Sequence, residues 1–217
     1  MARHKIRLIH NGVRLPEPRE SRAHWRQRWG LGEQVPVVCM LANLSPHKDH
    51  ATLIRAWRQV LADWPGGQAQ PVLILAGRDY GQGAAIQALA TESRLGEAVR
   101  LVGEVTDVAG LLRATDLCVF SSLREGLPNG VLEAMAAGLC AVGTDNPGMR
   151  EAVGEAGVPL LVPPEDAPAL AQAIRRVLDD GELRRREGTR NQRRIEEVFG
   201  VEQMCRRTVE AIREVLP

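Results

Sequence analysis

Short runs of aliphatic residues alternate with longer amphipathic segments along most of this 217-residue chain. Only 3% of its residues are aromatic, so the core must be built from Val, Leu, Ile and Ala. Most runs lack the polar alternation of a half-exposed strand, and the segments between them are long enough for right-handed crossovers. The pattern predicts an α/β fold with a doubly wound, mainly parallel sheet and a ligand crevice at the carboxyl ends of its strands. The predicted strands are 6–9, 37–42, 72–76, 99–102, 117–120, 140–143 and 159–162.

Helices are predicted between these runs, at 21–29, 50–64, 82–93, 108–114, 128–137 and 167–178. From residue 182 the strands stop, and two C-terminal helices are predicted over 182–217. Glutamates are interspersed among the arginines of the first of these helices, which we interpret as a solvated face. The second has an apolar stripe. We expect residues 1–18 to form a linker-like strand and turn, and residues 19–217 to form one domain that includes the C-terminal helices. The stripe comprises Val201, Met204, Cys205, Val209, Ile212 and Leu216.

Composition excludes several classes of protein. The net charge of +1 implies no general attraction to nucleic acid or anionic lipid. No apolar run approaches the roughly 18 residues that span a bilayer, so we expect at most a peripheral contact with the inner membrane face. The four cysteines show no CxxC spacing, which suits the reducing cytoplasm. His47 and His50 flank Lys48, but no set of Cys, Asp or His at ligand spacing completes a metal site.

A glycine-containing turn connects the strand 117–120 to the helix 128–137, with the sequence SSLREGLPNG. Such a turn leaves backbone N–H groups unpaired, and the helix N-terminus adds about half a positive charge, so phosphate oxygens are the natural ligands. Glu125 precedes the turn and Glu133 lies about one turn into the helix. A carboxylate beside a phosphate site can accept hydrogen bonds from sugar or ribose hydroxyls. The segment therefore predicts a site for a nucleotide that carries a sugar.

The same segment, EGLPNGVLEAMAAG, resembles the E-x7-E signature of the retaining glycosyltransferases of family 4, which have the GT-B fold. The resemblance extends over most of the chain. IHNGV at 9–13 is similar to the family's linker strand and Asn-Gly turn, and ANLSPHKDHATLIRAW at 42–57 to its first strand-loop-helix. LVGEV at 101–105 and ATDL at 114–117 follow in the expected order. Family members also carry an N-terminal acceptor domain, so the resemblance covers the C-terminal half and identifies 19–217 as a donor-binding domain.

The resemblance implies a role for each matching residue. Glu133 would hold the ribose hydroxyls, Glu125 would contact sugar hydroxyls near the anomeric carbon, and Val105 would lie at the base. Lys48 would neutralise the diphosphate as the leaving group departs, a task that a metal performs in other glycosyltransferases. The family precedent is transfer of the sugar with retention at the anomeric carbon, with neither metal nor cofactor. The residues that would cradle the diphosphate are Gly126, Leu127, Pro128, Asn129 and Gly130.

Asn43 departs from the family pattern, which usually has an arginine there, so a neutral donor replaces one of two cations expected at the diphosphate. This departure motivates an alternative function, a non-catalytic module that binds nucleotide sugars. A GT-B-like sugar-nucleotide epimerase or a phosphorylase is a further alternative. The nucleotide base, the sugar and the acceptor stay open. The expected partners are a nucleotide sugar and either an N-terminal acceptor domain or a second copy bound through the last helix.

Overall fold

Six parallel strands form one sheet in the computed structural model, which describes residues 6–214. The strand order is β3-β2-β1-β4-β5-β6, and every pairing in the sheet is parallel. This confirms the predicted doubly wound α/β fold. The strands are β1 (Val37–Leu41), β2 (Val72–Ala76), β3 (Val99–Gly103), β4 (Leu117–Phe120), β5 (Ala141–Thr144) and β6 (Leu161–Val162).

Helices cover both faces of the sheet and begin mostly at side-chain caps. Asp107, Asn146, Asp166 and Asp180 each accept a hydrogen bond from the backbone N–H three residues later. The helices are α1 (Arg22–Arg28), α2 (His50–Ala62), α3 (Gly83–Glu92), α4 (Val108–Arg113), α5 (Asn129–Ala136), α6 (Pro147–Val153), α7 (Ala167–Asp179), α8 (Gly181–Val198) and α9 (Val201–Arg213). Short 3-10 helices occupy Pro46–Lys48, Gly96–Ala98 and Glu155–Leu160.

Two apolar layers, one on each side of the sheet, follow from the alternation of side chains along each strand. Val38 and Met40 of β1 pack with α2, α3 and α7 in one layer. Val37 and Cys39 point the other way and pack with α1, α4, α5 and α6. Because both faces are covered, β1 is apolar without alternation, as the sequence pattern indicated.

The helix α6 was missed because its seven residues contain Pro147 and Gly148, which obscure any apolar periodicity. The Asn146-Pro147 pair was the available signal, since asparagine caps a helix and proline is favoured at its first position. The strand predicted at 159–162 was also partly wrong. Pro159 and Leu160 end a 3-10 helix, and only two residues pair as β6.

The strand predicted at 6–9 is wrong. Ile6 and Leu8 are exposed, by 61% and 77%, and the extended segment lies beside α9, which offers no strand edge to pair with. Arg7 pairs with Glu214 at the end of that helix. The one bridge in the linker-like segment joins Val13 to Gly200, where the Val13 N–H donates to the Phe199 carbonyl at 2.8 Å. Residues 1–5 of the predicted linker lie outside the described residues.

Several arginines of α8 are structural rather than solvated, which corrects the interpretation from sequence. Arg184 donates to the carbonyls of Val177 and Leu178 at the end of α7. Arg194 donates to the carbonyls of Glu151 and Ala152 in α6, both at 2.8 Å. These guanidinium groups satisfy helix C-terminal carbonyls that lack intrahelical partners and favour positive charge.

The last helix, α9, has no buried residue, and Val209 and Ile212 are 45% and 49% exposed. The predicted apolar stripe is therefore uncovered at Cys205, Val209 and Ile212, whereas Val201 and Met204 are half-buried, and the Gly12 N–H donates to the Met204 sulfur at 3.1 Å. The last member of the stripe, Leu216, lies outside the described residues. None of the helices between residues 6 and 214 is long and apolar enough to cross a bilayer.

Candidate functional site

A cavity of about 390 Å³ opens at the carboxyl edge of the sheet, where the strand order reverses. The chain runs outward from β1 through β2 to β3, and outward in the opposite direction from β4 through β5 to β6. The loops after β1 and β4 diverge at this point, which is where open α/β sheets bind ligands. The lining residues are Leu41, Ala42, Asn43, Lys48, Ala76, Gly77, Glu125, Leu127, Pro128, Asn129, Gly130 and Glu133.

Two glycines allow the backbones around this cavity to approach closely. A Cβ atom on Gly130 would overlap the carbonyl oxygen of Leu41 at the end of β1. One on Gly77 would overlap the carbonyl oxygen of Ala42. Side chains at these positions would push the loops apart, so both glycines set the width of the cavity floor.

Lys48 is held by a network that ties the loop after β1 to the loop after β4. The Ser121 hydroxyl lies 2.9 Å from the carbonyl oxygens of both Lys48 and Asp49. The Leu123 N–H donates to the His47 carbonyl at 2.8 Å. Asp49, in the left-handed region at φ 46°, caps α2 by accepting from the Thr52 N–H. The backbone that carries Lys48 is therefore held in place by hydrogen bonds between the two loops.

The Lys48 ammonium donates to the Glu125 carboxylate across the mouth of the cavity. The loop that carries Glu125 is supported from the other side by the β5–α6 connection. The Asn146 amide donates to the Ser122 carbonyl at 3.1 Å, and a Cβ atom on Gly148 would lie 2.7 Å from the Cβ of Glu125. Lys48 and Glu125 therefore form a pair of opposite charges, each held by its own loop.

The N-terminus of α5 faces the same cavity. Its first residues, Asn129 and Gly130, line the cavity, and Pro128 before them provides no side-chain cap. The first backbone N–H groups of a helix have no intrahelical acceptor, so they are available to an anion. The Asn129 side chain accepts from the Asn11 amide at 3.3 Å, which links the turn to the N-terminal segment.

Glu133 follows one turn later in α5 and also lines the cavity. Burial raises the pKa of its carboxyl above the usual value. Among the residues that the structure describes, none lies within hydrogen-bond distance of its carboxylate. A half-buried carboxylate without a partner is suited to accept hydrogen bonds from ligand hydroxyls.

Three further residues of the predicted site lie in three different places, Asn43 in this cavity and Gly126 and Val105 outside it. Asn43 lines the cavity, and its side-chain oxygen accepts from the Arg78 N–H at 3.2 Å, which leaves its amide N–H groups for a ligand. Gly126 lies in an open hollow of about 490 Å³ that shares Glu125 with the cavity. Val105 lines a separate cavity of about 550 Å³ at the end of β3, beside Trp25 and Trp29.

Sequence reasoning missed four residues that line the cavity, because they contribute backbone rather than distinctive side chains. Leu41 and Ala76 end β1 and β2, and Ala42 and Gly77 follow these strands. The signal for Gly77 was present, since a glycine directly after a buried strand often marks close backbone approach. Between residues 6 and 214, no group of three or more His, Cys, Asp or Glu side chains is placed to hold a metal ion.

Comparison with known proteins identifies the family. The family model described as glycosyl transferases group 1 matches residues 21–194, most of the chain. This chain belongs to the group 1 glycosyl transferases. It is 28% identical over 229 residues to a D-inositol 3-phosphate glycosyltransferase of Kineococcus radiotolerans, covering 98% of this chain and 52% of that protein. A Nocardia farcinica protein with the same name is 30% identical over 195 residues, covering 87% of this chain and 43% of the relative.

The fold of this chain matches one half of solved GT-B structures. Sucrose-phosphate synthase from Thermosynechococcus elongatus superposes with a TM-score of 0.81 at 28% identity, covering 96% of this chain and 52% of that one. Anabaena HepE, solved in complex with UDP and glucose, gives 0.85 at 23% identity, covering 96% of this chain and 57% of that one. The chain therefore spans about half the length of the relatives that it matches.

Proposed function

We propose that this chain is the donor-binding half of a retaining glycosyltransferase that binds a nucleotide-diphosphate sugar in the 390 Å³ cavity. The observation that carries the proposal is the pairing of Lys48 with Glu125 in front of the uncapped N-terminus of α5. The pair and the helix end would offer cationic and N–H groups to the diphosphate, and a carboxylate to the sugar hydroxyls that follow it.

The diphosphate would lie against the first N–H groups of α5 and the Lys48 ammonium. Helix N-termini favour phosphate because unpaired N–H groups and the helix dipole act together. Asn43 would add a neutral donor. Glu125 would accept hydrogen bonds from the sugar through its other carboxylate oxygen while Oε1 keeps its contact with Lys48, whose remaining N–H groups would face the phosphates.

The nucleoside would extend toward β3. Glu133 would accept hydrogen bonds from the ribose hydroxyls, because its carboxylate is half-buried and lines the cavity. Val105 would lie at the base in the cavity beyond. Three strand spacings separate β4 from β3 in the sheet, or about 14 Å, which suits an extended nucleotide.

The reaction would transfer the sugar to an acceptor hydroxyl. The acceptor oxygen forms a bond to the anomeric carbon, and the bond from that carbon to the β-phosphate oxygen breaks. The electron pair leaves with the nucleoside diphosphate, whose departing oxygen takes the hydroxyl proton, so attack occurs on the face of the leaving group with net retention. Lys48 and the α5 N–H groups stabilise the charge that develops on the phosphate. This scheme requires no metal.

The acceptor-binding half would come from a further domain or from a partner chain. The chain spans 52% of the Kineococcus relative, which supports a division of labour between two halves. Addition of a matching N-terminal domain in trans should then produce transfer. A second copy bound through the exposed stripe of α9 is the other candidate partner.

Nucleotide binding is the first test. The purified chain is heated with UDP, GDP or ADP and with their common sugar conjugates, beginning with UDP-glucose. A ligand at about one hundred times its dissociation constant adds about 2.7 kcal/mol of stability. We expect one nucleotide class to raise the melting temperature, Glu133→Ala to abolish the shift, and Glu92→Ala on the exposed end of α3 to retain it. No shift with any nucleotide would refute the proposal.

The neutral side chain of Asn43, at a position where the family usually has an arginine, favours a second candidate function. This is a module that binds nucleotide sugars without transferring them. The cavity is lined by one cationic side chain, Lys48, which already faces Glu125. Such a module would bind nucleotide sugar, yet no N-terminal domain would restore transfer. Analysis of products separates both candidates from an epimerase, because an epimerase leaves the nucleotide attached to the sugar.

A further inference from the structure

An open hollow of about 490 Å³ lies next to the donor cavity and is lined by His47, Arg124, Glu125 and Gly126. Glu125 also lines the donor cavity, so the two spaces meet at this carboxylate. A group bound in the hollow would therefore lie beside the sugar of a bound donor. On the proposed function, an acceptor bound here would have its hydroxyl beside the anomeric carbon.

The hollow is positively charged. Arg124 is exposed, and within the described part of the chain no carboxylate lies within ion-pair distance of its guanidinium. The negative charge of Glu125 is balanced by Lys48 on the donor side. Arg124 thus contributes a cation that nothing in the hollow neutralises.

His47 supplies a second donor that lines the same hollow. His47 Nδ1 lies 3.3 Å from the Ser45 hydroxyl, which leaves its other ring nitrogen available. The Leu123 N–H donates to the His47 carbonyl, so the backbones that carry the two side chains are joined. The backbone positions of His47 and Arg124 are therefore constrained by the same loop network.

We propose that this hollow binds an anionic group of the acceptor, a phosphate or a carboxylate, through Arg124 and His47. The inference rests on the proposed function, because it takes the donor sugar to lie beside Glu125. A planar guanidinium forms paired, charge-assisted hydrogen bonds with both kinds of oxyanion. Acceptors without an anion near the reacting hydroxyl would lack this contact.

The test uses the whole chain with its donor cavity filled. The chain is saturated with the nucleotide that binds in the thermal screen, so that phosphate cannot enter the donor site, and is then titrated calorimetrically with glycerol 1-phosphate. Glycerol is the neutral control probe. We expect the phosphate ester alone to bind. Because Arg124→Gln removes a charge-assisted hydrogen bond, it should weaken binding of the phosphate ester about tenfold or more. Arg58→Gln, an exposed arginine on α2, should bind as the wild type does.

Failure of this inference and failure of the proposed function give different results. A chain that binds nucleotide but neither glycerol 1-phosphate nor anionic vesicles, or whose Arg124→Gln variant binds them equally well, overturns the acceptor site alone. A chain that binds no nucleotide overturns the proposed function, whatever the phosphate result.

The anion has two sources, a small phosphate ester or a lipid-linked phosphate, and a second arm separates them. Vesicles of phosphatidylcholine with about 20% phosphatidic acid are sedimented with the nucleotide-saturated chain. The negative surface charge of these vesicles acts over about one Debye length. Capture that Arg124→Gln abolishes supports a lipid-linked acceptor. Binding of glycerol 1-phosphate without capture supports a small acceptor. If the chain neither binds glycerol 1-phosphate nor is captured by the vesicles, the proposed site is wrong.

Discussion

The ammonium nitrogen of Lys48 lies 2.5 Å from the carboxylate oxygen Oε1 of Glu125, and the two side chains are only 17% and 11% exposed. Replacement of Lys48 by Met leaves a largely buried carboxylate without its partner, which costs more than the ion pair itself contributes. We expect Lys48→Met to lower the free energy of unfolding by about 1–3 kcal/mol. Addition of Glu125→Gln should restore much of the loss. Urea unfolding of the two single variants and the double variant measures the coupling, and strictly additive losses would contradict it.

Gly126, in the loop after β4, and Gly130, at the start of α5, differ in their surroundings. A Cβ atom on Gly130 would overlap the Leu41 carbonyl oxygen, whereas one on Gly126 would meet nothing within 4 Å. We expect Gly130→Ala to lower the free energy of unfolding by about 1–3 kcal/mol and Gly126→Ala to change it by less than about 0.5 kcal/mol. Thermal unfolding of both variants tests this contrast. Equal losses would show that the turn does not pack as described.

His50 gives the stability of the chain a pH dependence. The imidazole is buried at the start of α2, and neither ring nitrogen has a hydrogen-bond partner among the described residues. Burial, with a smaller effect of nearby Lys48, lowers the pKa of His50 from 6.5 to about 4. The unfolded chain therefore binds a proton between pH 6.5 and 4 that the folded chain does not. Stability from this residue is present above that window and lost as the pH falls through it, by up to about 3 kcal/mol.

His50→Gln removes this titration. Denaturant unfolding across the same pH range should show a flatter dependence for His50→Gln than for the wild type. His24→Gln, at an exposed position on α1, is the matched control and should follow the wild type. Parallel curves for wild type and His50→Gln would mean that the pKa of His50 is the same in the folded and the unfolded chain.

The four cysteines should differ sharply in reactivity. Cys205 on α9 is exposed, whereas Cys39, Cys118 and Cys140 are buried. Burial raises the pKa of Cys39 and of Cys140 to about 12, and that of Cys118 well above its ordinary value. Because the thiolate is the reactive form, a disulfide reagent at mild alkaline pH should titrate one thiol in the folded chain and four in denaturant. Cys205→Ser should remove the fast thiol, and rapid reaction in that variant would contradict the burial.

The strand predictions are most accurate for strands that have another strand on each side in the sheet. The runs at 72–76 and 117–120 match β2 and β4 to the residue, because they are apolar on both faces and lie inside the sheet. The run at 6–9 has similar composition, yet Ile6 and Leu8 remain exposed because the segment lies along a helix. Composition records the apolar character of a segment, but strand formation also requires a partner backbone.

In the candidate site too, local features could be predicted from the sequence, whereas features that depend on contacts between distant segments could not. The motif from Glu125 to Glu133 placed both acids at one cavity, since a strand-turn-helix fixes their separation locally. The charged hollow at Arg124 was not predicted. It depends on the approach of His47 from another loop, and no spacing along the chain records that approach. Val105 lines its own cavity, and its role at the base stays a prediction.

The reversal of strand order makes the cavity a seam between two modules. The Val37 N–H on β1 donates to the Asp116 carboxylate just before β4, although 79 residues separate the two. Each side of the seam is a run of consecutive strand-helix units, β1 to β3 and β4 to β6, whose pairings are local. Recombination at the connection between α4 and β4 would exchange one wall of the cleft and leave the other intact. The two walls can therefore diverge separately, one through Asn43 and Lys48 and the other through Glu125 and Glu133.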